Sequence, residues 1–335
     1  MVRFIFIFLT IYAMAFADLK EEFVAHISFS GLGSMKYSAI SYYKGEWKKD
    51  HSVTKFKSKG FLGKIAAKLL SNDGKETIYD LKKKVIYDLD LADETYTERD
   101  ISKFEAPFTE SDKQEVEIEQ GEESEEDKSY KVLREVFKVI DKNEDKKINN
   151  FDTHHYIIYY VSEVQDLETK KIRTDSMFID LYNSNDIDLF KKVSEEKKKF
   201  YVPYYKLLGL EYKKQDYYDQ IFGKSWFGYL NSINKGEKTE SVKYDNEIEE
   251  LKKIKGYPIL INGAFFHKGD DKSQSEDKGF SGGFSGLVKK ISKEKNKKGQ
   301  NGYKKLFSYK YELINISFDN IDDKEFEIPN NFDKM

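Results

Sequence analysis

Along the chain, apolar and polar positions alternate with the period of a strand far more often than with that of a helix. Phe23, Ala25, Ile27 and Phe29 fall on one face of a run with period two, which predicts a strand. The β-branched and aromatic stretches 35–43 and 51–57 predict two more. Thr77-Ile-Tyr-Asp-Leu81 and Val85-Ile-Tyr-Asp-Leu89 flank the charged triplet Lys82-Lys-Lys84, which is the pattern of a hairpin, and 94–101 supplies a third strand of the meander. Further strands are predicted at 154–161, 177–181, 257–261, 306–318 and 326–329. Helical candidates are 187–199 and 247–255, the latter ended by Gly256 and Pro258, and Phe61, Ile65 and Leu69 also fall at helical spacing. Two stretches break the patterning. Residues 105–129 are acidic and nearly free of large apolar groups, and read as a solvated linker or long loop. Residues 268–302 are glycine- and lysine-rich and read as an insertion.

The N-terminus has a different grammar. Arg3 precedes an apolar run from Phe4 to Met14, and Ala15-Phe16-Ala17 supplies small residues at a cleavage site. This is the pattern of a secretory signal peptide over residues 1–17, with Asp18 as the first mature residue. The run is shorter than the roughly 20 residues a membrane span needs, and no later stretch approaches that length. The mature chain is therefore expected to be exported and soluble, in the periplasm or secreted.

Composition narrows the picture further. The 335 residues carry 57 Lys+Arg against 60 Asp+Glu, a balance that gives no net positive charge with which to bind nucleic acid. The 25 Phe and 24 Tyr favour half-buried pleated surfaces. Cysteine is absent, which removes disulfides, thiolate metal sites, cysteine nucleophiles and a lipoprotein box. An exported chain without disulfides fits a bacterial envelope better than a eukaryotic secretory pathway.

Several segments taken in order resemble a known group of proteins. They are the exported start, the meander ending Ile86-Tyr-Asp-Leu-Asp-Leu91, the stretch Lys147-Ile-Asn-Asn-Phe-Asp-Thr-His-His-Tyr156, and Thr174-Asp-Ser176. They continue with Leu251-Lys-Lys-Ile-Lys-Gly-Tyr-Pro-Ile259 and Phe326-Glu-Ile-Pro-Asn-Asn-Phe332. The order resembles a family of exported bacterial proteins described only as a domain of unknown function, similar in kind to the LolA-like, lipoprotein-sorting half-barrels of the periplasm. The chain departs from that family at His154 or His155, where it often carries Cys, and at Arg173, where it carries Trp. The resemblance implies one domain over residues 18–335. Its fold would be mainly β (α+β), a curved antiparallel sheet or half-barrel with a few helices and long loops, and it implies no catalytic residues.

Candidate chemistry is sparse. Asp141, Asn143 and Asp145 occupy positions 1, 3 and 5 of an EF-hand-like loop 141–152, a spacing that can converge on one calcium ion. Lys146 stands where the loop needs Gly, and Asp152 where it needs a bidentate Glu. The other reading of the segment is a strand, an Asp/Asn turn and another strand. Gly279-Phe-Ser-Gly-Gly283 spells a nucleophile elbow around Ser281, but no His follows it, as that mechanism's chain order requires. His154 and His155 are neighbours, so on a strand they face opposite ways and cannot share a metal. His26, His51 and His267 have no partner at ligand spacing. No metal, cofactor or catalytic residue is expected.

Three aromatic–glycine stretches, 60–70, 222–230 and 280–288, remain. As a group they suggest covers over an apolar cavity, with Phe61, Trp226, Phe227, Phe280 and Phe284 as ligand-binding residues. The expected function is a non-enzymatic envelope protein that binds or carries a lipid or other apolar ligand. The alternatives are a structural or protein-interaction component of the envelope, and a calcium-binding protein acting through 141–152.

Overall fold

In a computed structural model, residues 18–60, 64, 67, 71–101, 130–212, 249–269 and 302–335 are described. Residues 1–17, read as a signal peptide, the acidic segment 105–129 and nearly all of the 268–302 stretch lie outside the described residues.

The strands are β1 (Asp18–Phe29), β2 (Gly33–Lys44), β3 (Trp47–Ser58), β4 (Asn72–Asp80), β5 (Val85–Asp90) and β6 (Thr95–Asp100), followed by β7 (Tyr130–Ile148), β8 (Phe151–Asp166), β9 (Ile172–Ser184), β10 (Tyr257–Lys268), β11 (Lys304–Asp319) and β12 (Asp333–Lys334). One long helix, α1 (Ile187–Leu207), follows β9. All twelve strands join a single open sheet in the order β12-β6-β5-β4-β3-β2-β1-β11-β10-β9-β8-β7. Each neighbouring pair is antiparallel except β12 with β6, which is parallel. The sheet is therefore mixed rather than purely antiparallel. Consecutive strands lie side by side almost throughout. The exceptions are the pairing of β1 with β11, which joins the two halves of the chain, and that of the short β12 with β6.

Local chemistry fixes the turns. Asp80 accepts from the Lys83 N–H at the turn after β4, and Asp90 accepts from the Ala92 and Asp93 N–H groups at the turn after β5. The two similar pentapeptides therefore pair with each other, Ile78 opposite Tyr87 and Tyr79 opposite Ile86. Between β7 and β8 the two-residue turn Asn149-Asn150 places Asn149 at φ 54°, the left-handed region that asparagine tolerates best after glycine.

Helix α1 starts where the Asp186 carboxylate accepts from the Leu189 N–H at 3.0 Å. It ends in a Schellman motif, with Gly209 at φ 71°, its N–H on the Lys206 carbonyl and the Leu210 N–H on the Tyr205 carbonyl. At 21 residues it is about 30 Å long, enough to cross about six strands at 4.8 Å spacing. It runs eight residues beyond the 187–199 pattern, through Pro203, because Phe200, Tyr201, Tyr204 and Leu207 continue to pack on the sheet. Packing outweighs the lost proline hydrogen bond.

Two other expectations are corrected, and the two readings of 141–152 are decided. The 326–329 segment is not a strand. Asp322 caps a 3-10 turn at Asp323–Phe326, Pro329 has no N–H for a ladder, and the terminal strand is Asp333–Lys334. Within 247–255 the described helix is a single turn at 249–251. The segment 141–152 has no helices around it: β7 runs through it to Ile148 and β8 begins at Phe151, so the strand–turn–strand reading is the observed one.

Candidate functional site

The same face of the sheet carries both the helix and the largest cluster of buried apolar residues among the described residues. Registers across β8, β9, β10 and β11 align side chains in rows. Ile158, Ile179, Gly263 and Tyr309 form one row, with Tyr156, Leu181, Ile261 and Tyr311 beside it and Tyr160, Met177, Phe265 and Phe307 on the other flank. Ile158 and Ile179 are fully buried, and Phe265 stacks on Phe307 at 5.6 Å between ring centroids. A Cβ at Gly263 would lie 2.5 Å from the Tyr309 ring, so the glycine lets that ring lie across the neighbouring strand. Among the described residues, Leu251 and Ile254 are the side chains from outside the sheet that pack on this floor, and α1 is not among them.

Helix α1 lies over the other part of the face, on Leu19, Tyr43, Leu81, Ile86 and Ile101. Its underside is not purely apolar. Lys197 reaches down to Glu21 on β1, Nζ to Oε2 at 2.7 Å, with the carboxylate buried. The other carboxylate oxygen, Glu21 Oε1, is buried with no hydrogen-bond partner among the described residues. Burial by itself would pull the Lys197 ammonium down, but Glu21 and Tyr257 hold it well above its usual range. Alongside, the Lys48 ammonium sits among the rings of Tyr43, Tyr79 and Tyr201, at 5.6, 5.2 and 5.9 Å from their centroids, and is paired with Asp50. Burial pushes the Tyr79 phenol up to about 12, with Lys48 opposing the shift. Tyr201 and Tyr43 approach hydroxyl to hydroxyl at 3.4 Å. The helix is thus held by an ion pair and a tyrosine box as well as by Phe200 and Val193.

Histidines and acids come together in two further places. Where β7 bulges between Asp141 and Asp145, His154 is held between them, Nε2 to Asp141 Oδ1 and Nδ1 to Asp145 Oδ1, both at 2.7 Å. Asn143 adopts φ 50° and donates its N–H to the Asp141 carboxylate. The Asp-x-Asn-x-Asp spacing therefore shapes a bulge and clamps an imidazole. His155 lies on the opposite face, stacked on Tyr182 at 4.2 Å and bonded to Asp180 at 3.0 Å. Among the described residues, no group of three or more His, Asp or Glu side chains could hold a metal ion.

The clamp has a pH signature. Hydrogen bonds that the imidazole donates to Asp145 and then to Asp141 raise His154 above its ordinary 6.5. A raised folded-state value means the clamp stabilises the protein fully below about pH 6.5 and loses that contribution as pH rises through the folded-state value. An NMR titration should place the His154 midpoint above 6.5, and a midpoint at or below it would show that the clamp does not form.

The second place is a row of Ser162, Asp175 and His267 on adjacent strands, with Asp175 opposite both neighbours. Asp175 takes a 2.7 Å contact from His267 Nδ1 and a 3.1 Å contact from Arg173. Here the carboxylate stands between serine and histidine, whereas nucleophilic hydrolysis needs the imidazole between the other two. Sequence reading missed this row because its members are brought together only by strand register across more than a hundred residues. Of the residues proposed from the sequence, Phe61, Trp226, Phe227, Phe280, Phe284 and Ser281 lie outside the described residues.

The architecture is that of a mainly β protein with one long helix across a buried sheet face. No protein-family model matches the chain, and none of the curated proteins does. No helix among the described residues is long and apolar enough to cross a membrane.

Proposed function

We propose that this is an exported, non-enzymatic binding or carrier protein for an apolar ligand with an acyl-chain-like body, acting in the bacterial envelope. Its sheet, in this reading, is curved as in the LolA-like half-barrels, and the ligand lies on the inner face of β8–β11 beside α1. The observation that carries the reading is the three-row apolar floor from Tyr156 to Phe307, continuous across four strands and meeting the helix contact only at Tyr311. Aromatic and aliphatic floors with few polar groups suit ligands recognised by shape and burial. Ile158 and Ile179 are fully buried, so entry of the ligand displaces whatever covers them. The calcium alternative needs Asp141 and Asp145 to exchange His154 for an ion.

The full chain, expressed with its N-terminal segment in a bacterial host, tests both halves of the proposal. Export predicts a mature protein beginning at Asp18 in the soluble envelope fraction. Binding predicts acyl species in an organic extract of the purified protein, and saturable uptake of a dansyl-labelled fatty acid competed by oleate. An extract without lipid together with non-saturable probe binding would overturn the carrier reading.

A further inference from the structure

Strand β1 carries an acid on its core side. By the two-residue period Leu19, Glu21 and Phe23 share one face, the face on which α1 lies. Leu19 packs beneath α1, and Phe23 packs with Tyr257, Tyr311 and Ile316. Glu21, between them, is 6% exposed. It stands where the helix contact gives way to the apolar floor, because Tyr311 packs against the floor as well. The Tyr311 ring lies 5.6 Å from that of Phe23.

The two oxygens of this carboxylate are used unequally. Oε2 takes the Lys197 ammonium, which also donates to the Tyr257 hydroxyl. Oε1 is closed to solvent and has no hydrogen-bond partner among the described residues. The hydroxyl opposite it on β2, that of Ser41, donates instead to Asp50 at 2.7 Å. A buried acceptor left unmade is costly, and a bond to a charged acceptor out of water is among the strongest available. Lys197 already balances the charge, so the group that fits Oε1 is a donor with no charge of its own. A second carboxylate there would meet Glu21 as a like charge.

We infer that Glu21 Oε1 receives the head group of the ligand, an uncharged hydrogen-bond donor (a hydroxyl or an amide N–H) on an acyl-type chain that lies along the floor. The inference rests on the carrier reading above and narrows it from apolar ligands in general to neutral, donor-bearing lipids. The chain covers the floor as far as Tyr311, and its head ends beside β1 under α1. There the new bond forms away from water, where a carboxylate discriminates most sharply between a head group that donates and one that cannot. Free fatty acids and fatty esters are the poorer ligands, the first for their charge and the second for want of a donor.

Displacement of the dansyl-labelled fatty acid from the mature chain by a series of oleyl compounds tests this. Oleyl alcohol and oleamide should compete about tenfold more tightly than methyl oleate, which carries the same chain and no donor. Burial alone predicts the opposite order, since methyl oleate is the most apolar of the three. Oleate should also fall below the alcohol, by about fivefold, for its like charge. The larger advantage over the ester names the head group as hydroxyl or amide. In Glu21→Gln the amide oxygen still accepts from Lys197 and the NH2 group faces the ligand, so methyl oleate, whose carbonyl accepts, should compete at least as well as the alcohol. The inference is overturned if the wild type takes alcohol, amide and ester equally while binding the probe saturably. The carrier reading survives that result, and a buried water then serves Oε1. It is overturned too if Glu21→Gln keeps the wild-type order, because the donor then meets another residue. Non-saturable probe binding with no competition from any of the series removes the carrier reading and this inference together.

Discussion

Lys197→Met should cost about 3 kcal/mol of folding stability, because it leaves Glu21 as an uncompensated buried carboxylate. The pair is bonded at 2.7 Å between α1 and β1, and its carboxylate has one oxygen already without a partner among the described residues. Removing the ammonium strips the remaining one. Replacing both partners at once, Glu21→Leu with Lys197→Met, should recover most of the loss, since a matched apolar pair avoids both desolvation terms. Urea unfolding of the two variants measures the difference. Equal losses in the single and the double variant would mean that the helix is held by Phe200, Tyr204 and their neighbours, with the ion pair adding little. The comparison also bears on function, because a helix fixed by a buried ion pair is a rigid wall beside the apolar floor rather than a flap over it.

Gly33→Ala should be as damaging, at about 3–5 kcal/mol, for a purely steric reason. Gly33 opens β2 at φ +130°, and a Cβ there would lie 2.1 Å from the Lys57 carbonyl oxygen and 3.1 Å from the Lys59 N–H nitrogen. Both obstacles are backbone. The Lys59 N–H is itself bonded to the Leu32 carbonyl at 2.7 Å, so the end of β3 cannot move aside without breaking that bond. Gly45→Ala is the control: its φ is also positive, at +56°, but nothing lies within 4 Å of the added carbon, so the cost should be only about 1 kcal/mol of backbone strain. Denaturant midpoints decide the matter, and equal losses at the two sites would mean that backbone conformation outweighs the collision.

The alternation of Phe23, Ala25, Ile27 and Phe29, the paired pentapeptides of the β4–β5 hairpin, and the helical spacing from Ile187 were all legible before any coordinates, because each depends on neighbours within a few residues. So was the strand–turn–strand alternative for 141–152, where the missing glycine and the strand-forming residues after His154 spoke against a calcium loop. Mainly β architecture followed from the repeated period of two. What a local pattern could not carry was partnership at a distance. Nothing near Glu21 signals that its counter-ion is Lys197 on a helix 176 positions further on. From sequence His154 reads only as a neighbour of His155 that faces the opposite way; the bulge brings Asp141 and Asp145 to its two nitrogens. The sheet order, with β1 against β11, and the capture of the Val139 N–H by the Glu250 carboxylate depend on register and on the twelve-strand assembly. Sequence sets which residues are fit to be buried or to turn the chain, through local sterics and hydrophobic period. Tertiary structure alone decides which charges meet, because an ion pair or a carboxylate capping a backbone N–H is specified by geometry between segments and leaves no periodic trace in either.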